Sequence, residues 1–220
     1  MSPRKLYEME LDRLQESVTE IGISVQALYV RLFSALEQDK EDEIVEIMKS
    51  DRDVHGMQRN IEGSCLNLIT KQQPVARDLR QVSASLKAVT DIGRMGDMCV
   101  DIAELLLRMK KKDLTIFSKH LPQMISETKR QMAEAVDAFS GRDVTAANRV
   151  VEGDDVIDNL FNLVKADLID HLKDERQDPD DCVDVLMIAK HLEKIGDHAV
   201  NMAEWAIFRE TGKMRNVLLL

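Results

Sequence analysis

The sequence predicts an all-α fold of two tandem three-helix bundles, six long antiparallel helices related by internal duplication. Three observations predict it. Of 220 residues, only 9 are Gly and 4 are Pro, with 5 Phe, 2 Tyr and 1 Trp, so turn formers and strand formers are both scarce. Apolar residues recur at three- and four-residue spacings almost throughout, which is the helical period. Finally, the breaks in that pattern fall at matching places in two successive stretches of chain, as a duplication requires.

The first helix is predicted from about Leu6 to Glu37, turned by Gln38-Asp39-Lys40. The second runs from about Asp42 to Thr70 and is closed by Gln72-Gln73-Pro74, because proline cannot continue a helix but can open one. The third spans about Val75 to Lys110 and ends in Lys110-Lys111-Lys112, where positive charge suits the helix dipole. Asp113 is the predicted cap of a fourth helix reaching Phe139, and Ser140-Gly141 stops it. Asp143 caps a fifth helix from about Val144 to Lys173, and Asp178-Pro179 opens a sixth that ends near Arg209. Long helices with such short connections bury their apolar stripes by packing antiparallel.

The duplication is legible residue by residue. The stretch 94–104, Arg-Met-Gly-Asp-Met-Cys-Val-Asp-Ile-Ala-Glu, matches 194–204, Lys-Ile-Gly-Asp-His-Ala-Val-Asn-Met-Ala-Glu, at an offset of 100. A weaker match sets Asp51-Arg52-Asp53-Val54-His55 against Asp154-Asp155-Val156-Ile157-Asp158 at an offset of 103. In each half the acidic pair lies on the second helix and the Gly-Asp motif on the third. The boundary is predicted near Lys112, giving halves 1–112 and 113–220.

The net charge of −10 argues against nucleic acid, whose binding needs Lys and Arg on phosphates, and equally against anionic lipid surfaces. No run approaches the roughly 20 apolar residues of a spanning helix, and Met1-Ser2-Pro3-Arg4-Lys5 does not lead into a signal peptide. Cys65, Cys99 and Cys182 are odd in number, widely spaced and set in apolar patterns, so they read as buried reduced thiols. A cytoplasmic protein is expected.

On the third helix, Gly93, Asp97, Asp101, Glu104 and Arg108 fall within an arc of about 80°, while Ile92, Met95, Cys99, Ile102, Leu105 and Met109 face the other way. The equivalent arc of the sixth helix holds Glu193, Asp197, Asn201 and Glu204. Carboxylates one turn apart repel, and two kinds of compensator are open. One is solvent with Arg94, Arg108, Lys190 and Lys194. The other is a bound cation, completed by Asp51, Asp154 and Asp158 from the second helix of each half. An all-oxygen ligand set favours Mg²⁺, Mn²⁺ or iron over zinc.

Gly96 and Gly196 cost about 1 kcal/mol each in a helix interior, for which close approach of a neighbouring helix is the expected return, with access to the adjacent aspartate the alternative. None of His55, His120, His171, His191 and His198 is preceded by Glu at the third position before it, so the Glu-x-x-His signature of di-iron bundles is missing. His191 stands two residues before Glu193 on a helix, a setting that invites comparison with a phospho-accepting histidine. No nucleotide-binding loop accompanies it, and it reads as a structural or surface histidine. No hydrolase or P-loop motif is found either, and the methionines sit mostly at core spacing. The apolar tail Asn216-Val217-Leu218-Leu219-Leu220 is expected to pack back on the bundle, with docking on a partner as the alternative.

Taken together, the two three-helix repeats, Gln73-Pro74-Val75-Ala76-Arg77-Asp78-Leu79-Arg80 at the start of the third helix, and Leu192-Glu193-Lys194-Ile195-Gly196-Asp197-His198-Ala199 in the sixth resemble the PhoU family over nearly the whole chain. The resemblance implies a cytoplasmic accessory regulator of the high-affinity phosphate transporter and of the phosphate-starvation two-component response. It implies contact with the transporter's ATPase subunit and with a membrane sensor histidine kinase, repression when phosphate is plentiful, a homodimer, and no catalysis. The family's acidic motif for metal clusters falls on Glu193 with Asp197 and on Asp97 with Asp101; Asp154 with Asp158 has the same spacing. Three departures matter: Gly93 replaces the acid of Glu193, Asn201 replaces that of Asp101, and His55 stands opposite Asp158. The two faces should therefore differ in charge and affinity. The competing readings are a structural helical adaptor with solvated acidic faces and a carboxylate-metal hydrolase or oxidase, the latter opposed by the missing Glu-x-x-His.

Overall fold

The computed structural model describes residues 3–49, 51–173, 179–214 and 217–218, with the side chains of 3, 51, 217 and 218 outside that description. The helices are α1 (Pro3–Glu37), α2 (Glu41–Lys49), α3 (Asp51–Gln72), α4 (Ala76–Arg108), α5 (Leu121–Gly141), α6 (Val144–Glu152), α7 (Asp154–His171) and α8 (Pro179–Thr211), with a 3₁₀ turn at Leu114–Ile116.

α1 shows why these segments are helical. Leu11, Leu14, Val18, Ile21, Val25, Leu28, Leu32 and Ala35 are all buried, and their alternating steps of three and four make an unbroken seam on one side of the helix. The seam ends where Asp39 turns to a left-handed φ of 54° and Lys40 N–H reaches back to Ala35 O at 2.9 Å, closing the helix end. α5 closes in the same way 103 residues later. Arg142 takes φ 54° and Asp143 N–H bonds Ala138 O at 3.1 Å. The left-handed residue there is Arg142, and Gly141 remains the last helical residue. Burial follows the same offset, for Ile44 and Ile47 of α2 are matched by Ala147 and Val150 of α6.

Each half thus contributes a long helix, a short amphipathic helix, a helix in line after it, and a final 33-residue helix. The halves share one hydrophobic core. α4 and α8 form the most extensive interface of the molecule, while α1 lies along α5 and α5 against α8. The seam between α4 and α8 carries polar ties: Arg108 holds Asp184, with Nε 3.0 Å from Oδ2, and Lys110 and Lys111 donate backbone N–H groups to Asp181 at 3.0 and 3.2 Å. The Lys112 ammonium bonds Leu106 O and, at 3.3 Å, Leu107 O, so positive charge does complete the carbonyl end of α4.

Three predicted helices change. Asp113 does not open the fourth helix: its carboxylate accepts from Thr115 N at 3.0 Å and Thr115 Oγ1 at 2.6 Å and caps the 3₁₀ turn. The helix begins at Leu121, with Pro122 in its first turn, where a missing N–H costs nothing. The fifth helix is two helices, because Gly153 sits at φ −86°, ψ 3° and shares its N–H between Arg149 O and Val150 O. Glycine gives little to helix continuity, and Asp154 and Asp155 then supply the acidic first turn of α7. The second predicted helix is likewise described as α2 and α3. Asp178, predicted as the last cap, lies outside the described residues. Of the tail, Val217–Leu218 pairs antiparallel with Lys213–Met214, and the Lys213–Met214 strand lies against α8; Asn216, Leu219 and Leu220 lie outside the described residues.

The predicted core holds. All three cysteines are free and buried. A Cβ on Gly96 would meet Val54 Cγ1 at 3.2 Å, and one on Gly196 would meet Ile157 Cδ1 at 2.9 Å. Both glycines therefore admit the matching residue of the preceding helix. No helix among the described residues is long and apolar enough to cross a membrane.

Candidate metal-binding faces

The break at Gly153 starts α7 at Asp154, and one turn later comes Asp158. Glu193 and Asp197 stand one turn apart on α8, which packs against α7. The four predicted second-half carboxylates therefore belong to one face. Burial pushes the Asp154 carboxyl above its ordinary value, and Asp158, Asp197, Asp155 and Glu204 push it further. Burial does the same for Asp158, helped by Glu193 and Asp197 and opposed by Lys194. Lysine compensation is partial: Lys194 contacts Asp197 and lies 3.9 Å from Glu193, whose other partner is Lys190.

Next to this face is a second unmet demand. Gln131, 3% exposed, has no partner for its side-chain oxygen, which lies 3.0 Å from where a Gly196 Cβ would be. At the offset of 103, its first-half counterpart is the apolar Leu28. Nothing in the sequence marks Gln131 except that offset.

The first half is built differently. Asp97 is paired with Arg94 at 3.1 Å and with His55 Nε2 at 3.2 Å, and His55 occupies the place of Asp158. A Cβ at Gly93 would collide with the Gln58 side-chain amide, which donates to Glu62 at 2.8 Å. An acid matching Glu193 is thus excluded unless Gln58 moves. The side chain of Asp51 lies outside the described residues.

Two predicted members point elsewhere. Asp101 faces the α4–α8 seam, 3.7 Å from His191 Nδ1. Asn201 donates to Asp91 Oδ1 at 3.3 Å, and Asp91 also holds His198 Nδ1 at 2.8 Å and the Trp205 indole N–H at 3.2 Å. Asp91 had no signal in the sequence beyond its place opposite His191 in the repeat. Arg108, one candidate compensator, is committed to Asp184 instead. Burial holds the His191 imidazole below its ordinary value against the pull of Asp101, which favours the neutral ring of a structural histidine.

Among the described residues, no three His, Cys, Asp or Glu side chains converge closely enough to enclose an ion. The donor chemistry of the second face nevertheless fits a hard cation. Its ligands are carboxylates, they repel one another, and the side-chain oxygens of Asp154 and Asp158 reach the face from one helix and those of Glu193 and Asp197 from the next.

A duplicated all-α bundle with an acidic face on each half, one paired by Arg94 and His55 and the other by Lys190 and Lys194, defines the class of protein. The PhoU domain model matches it twice, over residues 10–106 and 121–206. The phosphate-specific transport system accessory protein PhoU homolog of Clostridium acetobutylicum is 31% identical over 96% of this chain and 96% of its own. The crystal structure of the phosphate transport system regulatory protein PhoU from Streptococcus pneumoniae superposes with a TM-score of 0.87 at 25% identity, covering 96% of this chain and 100% of that one. PhoU from Pseudomonas aeruginosa superposes with the same score over 94% of this chain. The chain belongs to the PhoU family.

Proposed function

We propose that this chain is a phosphate-transport accessory protein that represses phosphate uptake and the phosphate-starvation two-component response when phosphate is plentiful. It acts in the cytoplasm, as a homodimer, by binding the ATPase subunit of the phosphate transporter and a membrane sensor histidine kinase. The match of relatives named for phosphate transport across nearly the full length of this chain carries the reading. Binding changes a partner's state only through a difference in affinity for its two conformations, so the adaptor must touch surfaces that move in the transport or signalling cycle.

Metal ions, iron, Mn²⁺ or Mg²⁺, are proposed on the second-half face, held by Asp154, Asp158, Glu193 and Asp197. A bound cation there would neutralise mutually repelling carboxylates and stiffen α7 against α8. The upward shifts of Asp154 and Asp158, from burial and then from neighbouring carboxylates, support this; the ion pairs of Asp97 in the first half give no equivalent support.

The test is capture by the tagged full-length chain from phosphate-replete lysate of its own source, with and without chelator. Co-purification of the transporter ATPase subunit or a sensor kinase is expected, with loss on chelation if metal shapes the contact. Recovery of neither by a folded bait would leave the structural-adaptor reading.

A further inference from the structure

The duplication leaves one helix end covered and its twin open. In the second half the end of α5 is sheathed. Gln15 of α1 donates to Phe139 O at 3.2 Å, Gly22 lies against Val136, and the Arg209 guanidinium sits 4.5 Å from the Phe139 ring centroid while donating to Phe139 O at 2.7 Å. At the offset of 103, Val136 and Phe139 correspond to Phe33 and Leu36 at the end of α1. The cover is not repeated there: Met109, the counterpart of Arg209, carries no guanidinium, and α5 starts at Leu121, the counterpart of Val18, and so lacks the N-terminal turns that α1 has.

A solvent-open cavity of about 670 Å³ results, walled by Phe33, Leu36, Leu114, Pro122 and Ile125. That volume is in the range of ligand pockets and far beyond the voids left by ordinary packing. Its rim is acidic. Glu37, Asp39 and Asp113 line it, and the adjoining depression past Asp39 adds Glu41, Asp42 and Glu43 against the cation Lys40. Of the nearby cations, Arg31 reaches Glu43 at 3.5 Å, and the Lys112 ammonium is taken up by Glu41 and the carbonyls ending α4. Asp113 is held ionised by its two bonds from Thr115.

From this geometry we infer that the open end of α1 is a docking pocket for a segment of a partner protein that presents one large apolar side chain with Arg or Lys within a helical turn of it. Such a segment would replace what the end of α5 receives within the molecule, a turn of α1 and the stacked Arg209 guanidinium. The apolar walls provide an anchor site, and the carboxylate rim selects cationic flanks and rejects acidic ones. The inference rests on the reading of the chain as a protein that works by binding partners.

The test pans a phage-displayed library of random dodecapeptides on the full-length protein and measures the enriched peptides by fluorescence anisotropy. Enriched peptides should pair a large apolar residue with Lys or Arg within four positions. Leu36→Trp, which fills the cavity, should weaken them about tenfold. Glu37→Gln with Asp39→Asn, on exposed positions and with an Asn that tolerates the left-handed backbone, should weaken them several-fold and flatten their salt dependence. No enrichment, enrichment without cationic flanks, or equal binding by both variants overturns the pocket. If both variants still capture the transporter ATPase subunit or the kinase as wild type does and bind the peptides unchanged, the pocket falls and the regulator reading stands. If wild type captures neither partner yet binds the peptides at this pocket, the reverse holds.

Discussion

The two halves descend from one pattern, but they treat charge in opposite ways. In the first, Asp97 meets Arg94 and His55, and Gln58 fills the space over Gly93. In the second, Asp158 replaces the histidine, Glu193 replaces the glycine, and burial together with neighbouring carboxylates raises the proton affinity of Asp154 and Asp158. A repeat conserves the positions of helices and core residues because packing punishes deviation. Its outer faces are free to diverge, and here one pairs its aspartate with Arg94 and His55 while the other sets four carboxylates beside Lys190 and Lys194.

The largest test of that asymmetry is at the helix ends. Arg209, which corresponds to Met109 of the first half, is 2% exposed and donates to Gln15 Oε1 at 2.6 Å and Phe139 O at 2.7 Å. Arg209→Met, which copies the first half, strips charged hydrogen bonds from buried acceptors and should cost about 2–4 kcal/mol in urea unfolding. A loss below about 0.5 kcal/mol would mean that this end is held by apolar packing alone.

Charge removal should have opposite signs in the two halves. Asp97→Asn removes the negative charge that Arg94 and His55 both contact and should destabilise by about 0.5–1 kcal/mol. Asp158→Asn relieves repulsion and should be neutral or stabilising by a few tenths of a kcal/mol, about the scale of a partly exposed charge. The pH dependence follows from the same shifts. Because the folded carboxyls of Asp154 and Asp158 hold protons more tightly than the unfolded chain does, stability contributed there falls as pH rises from the ordinary carboxylate value through the raised folded values, and it is regained on acidification. Metal-free Asp154→Asn/Asp158→Asn should lose that part of the slope in chemical unfolding across the acidic range. An unchanged slope would mean that neither burial nor the neighbouring charges raise these two carboxyls in the folded protein.

A comparably small effect is expected from converting the first face toward the second. His55→Asp sets a second carboxylate beside Asp97 while Arg94 remains, and should cost about 0.5 kcal/mol in the melting of the metal-free protein. A rise in stability would show that His55 is not a partner of Asp97.

Much of this was legible in the sequence, for a physical reason. Helix period, the duplicated stops, the buried cysteines and the close approach at Gly96 and Gly196 are local or repeated signals. The start of the fourth helix was not, because Asp113 caps a 3₁₀ turn with the same side-chain geometry that caps an α-helix. The break at Gly153 was hidden because the apolar spacing continues through it. The angular arc placed Asp101 and Asn201 with the acidic faces, yet it specifies only a direction around one helix. Which neighbour lies in that direction is set by tertiary packing, which brings Asp101 to His191 and Asn201 to Asp91. The four second-half carboxylates could be grouped because two helices share them at matching spacing.

The most direct measurement is a calorimetric titration of the metal-free full-length protein with Mn²⁺, run beside Asp154→Asn/Asp158→Asn and Asp97→Asn. Saturable binding by wild type, weakened at least about tenfold by the second-half pair and left unchanged by Asp97→Asn, is the predicted result. Equal weakening by both variants, or no binding by wild type, would contradict the claim that the second face alone retains the demand for a cation.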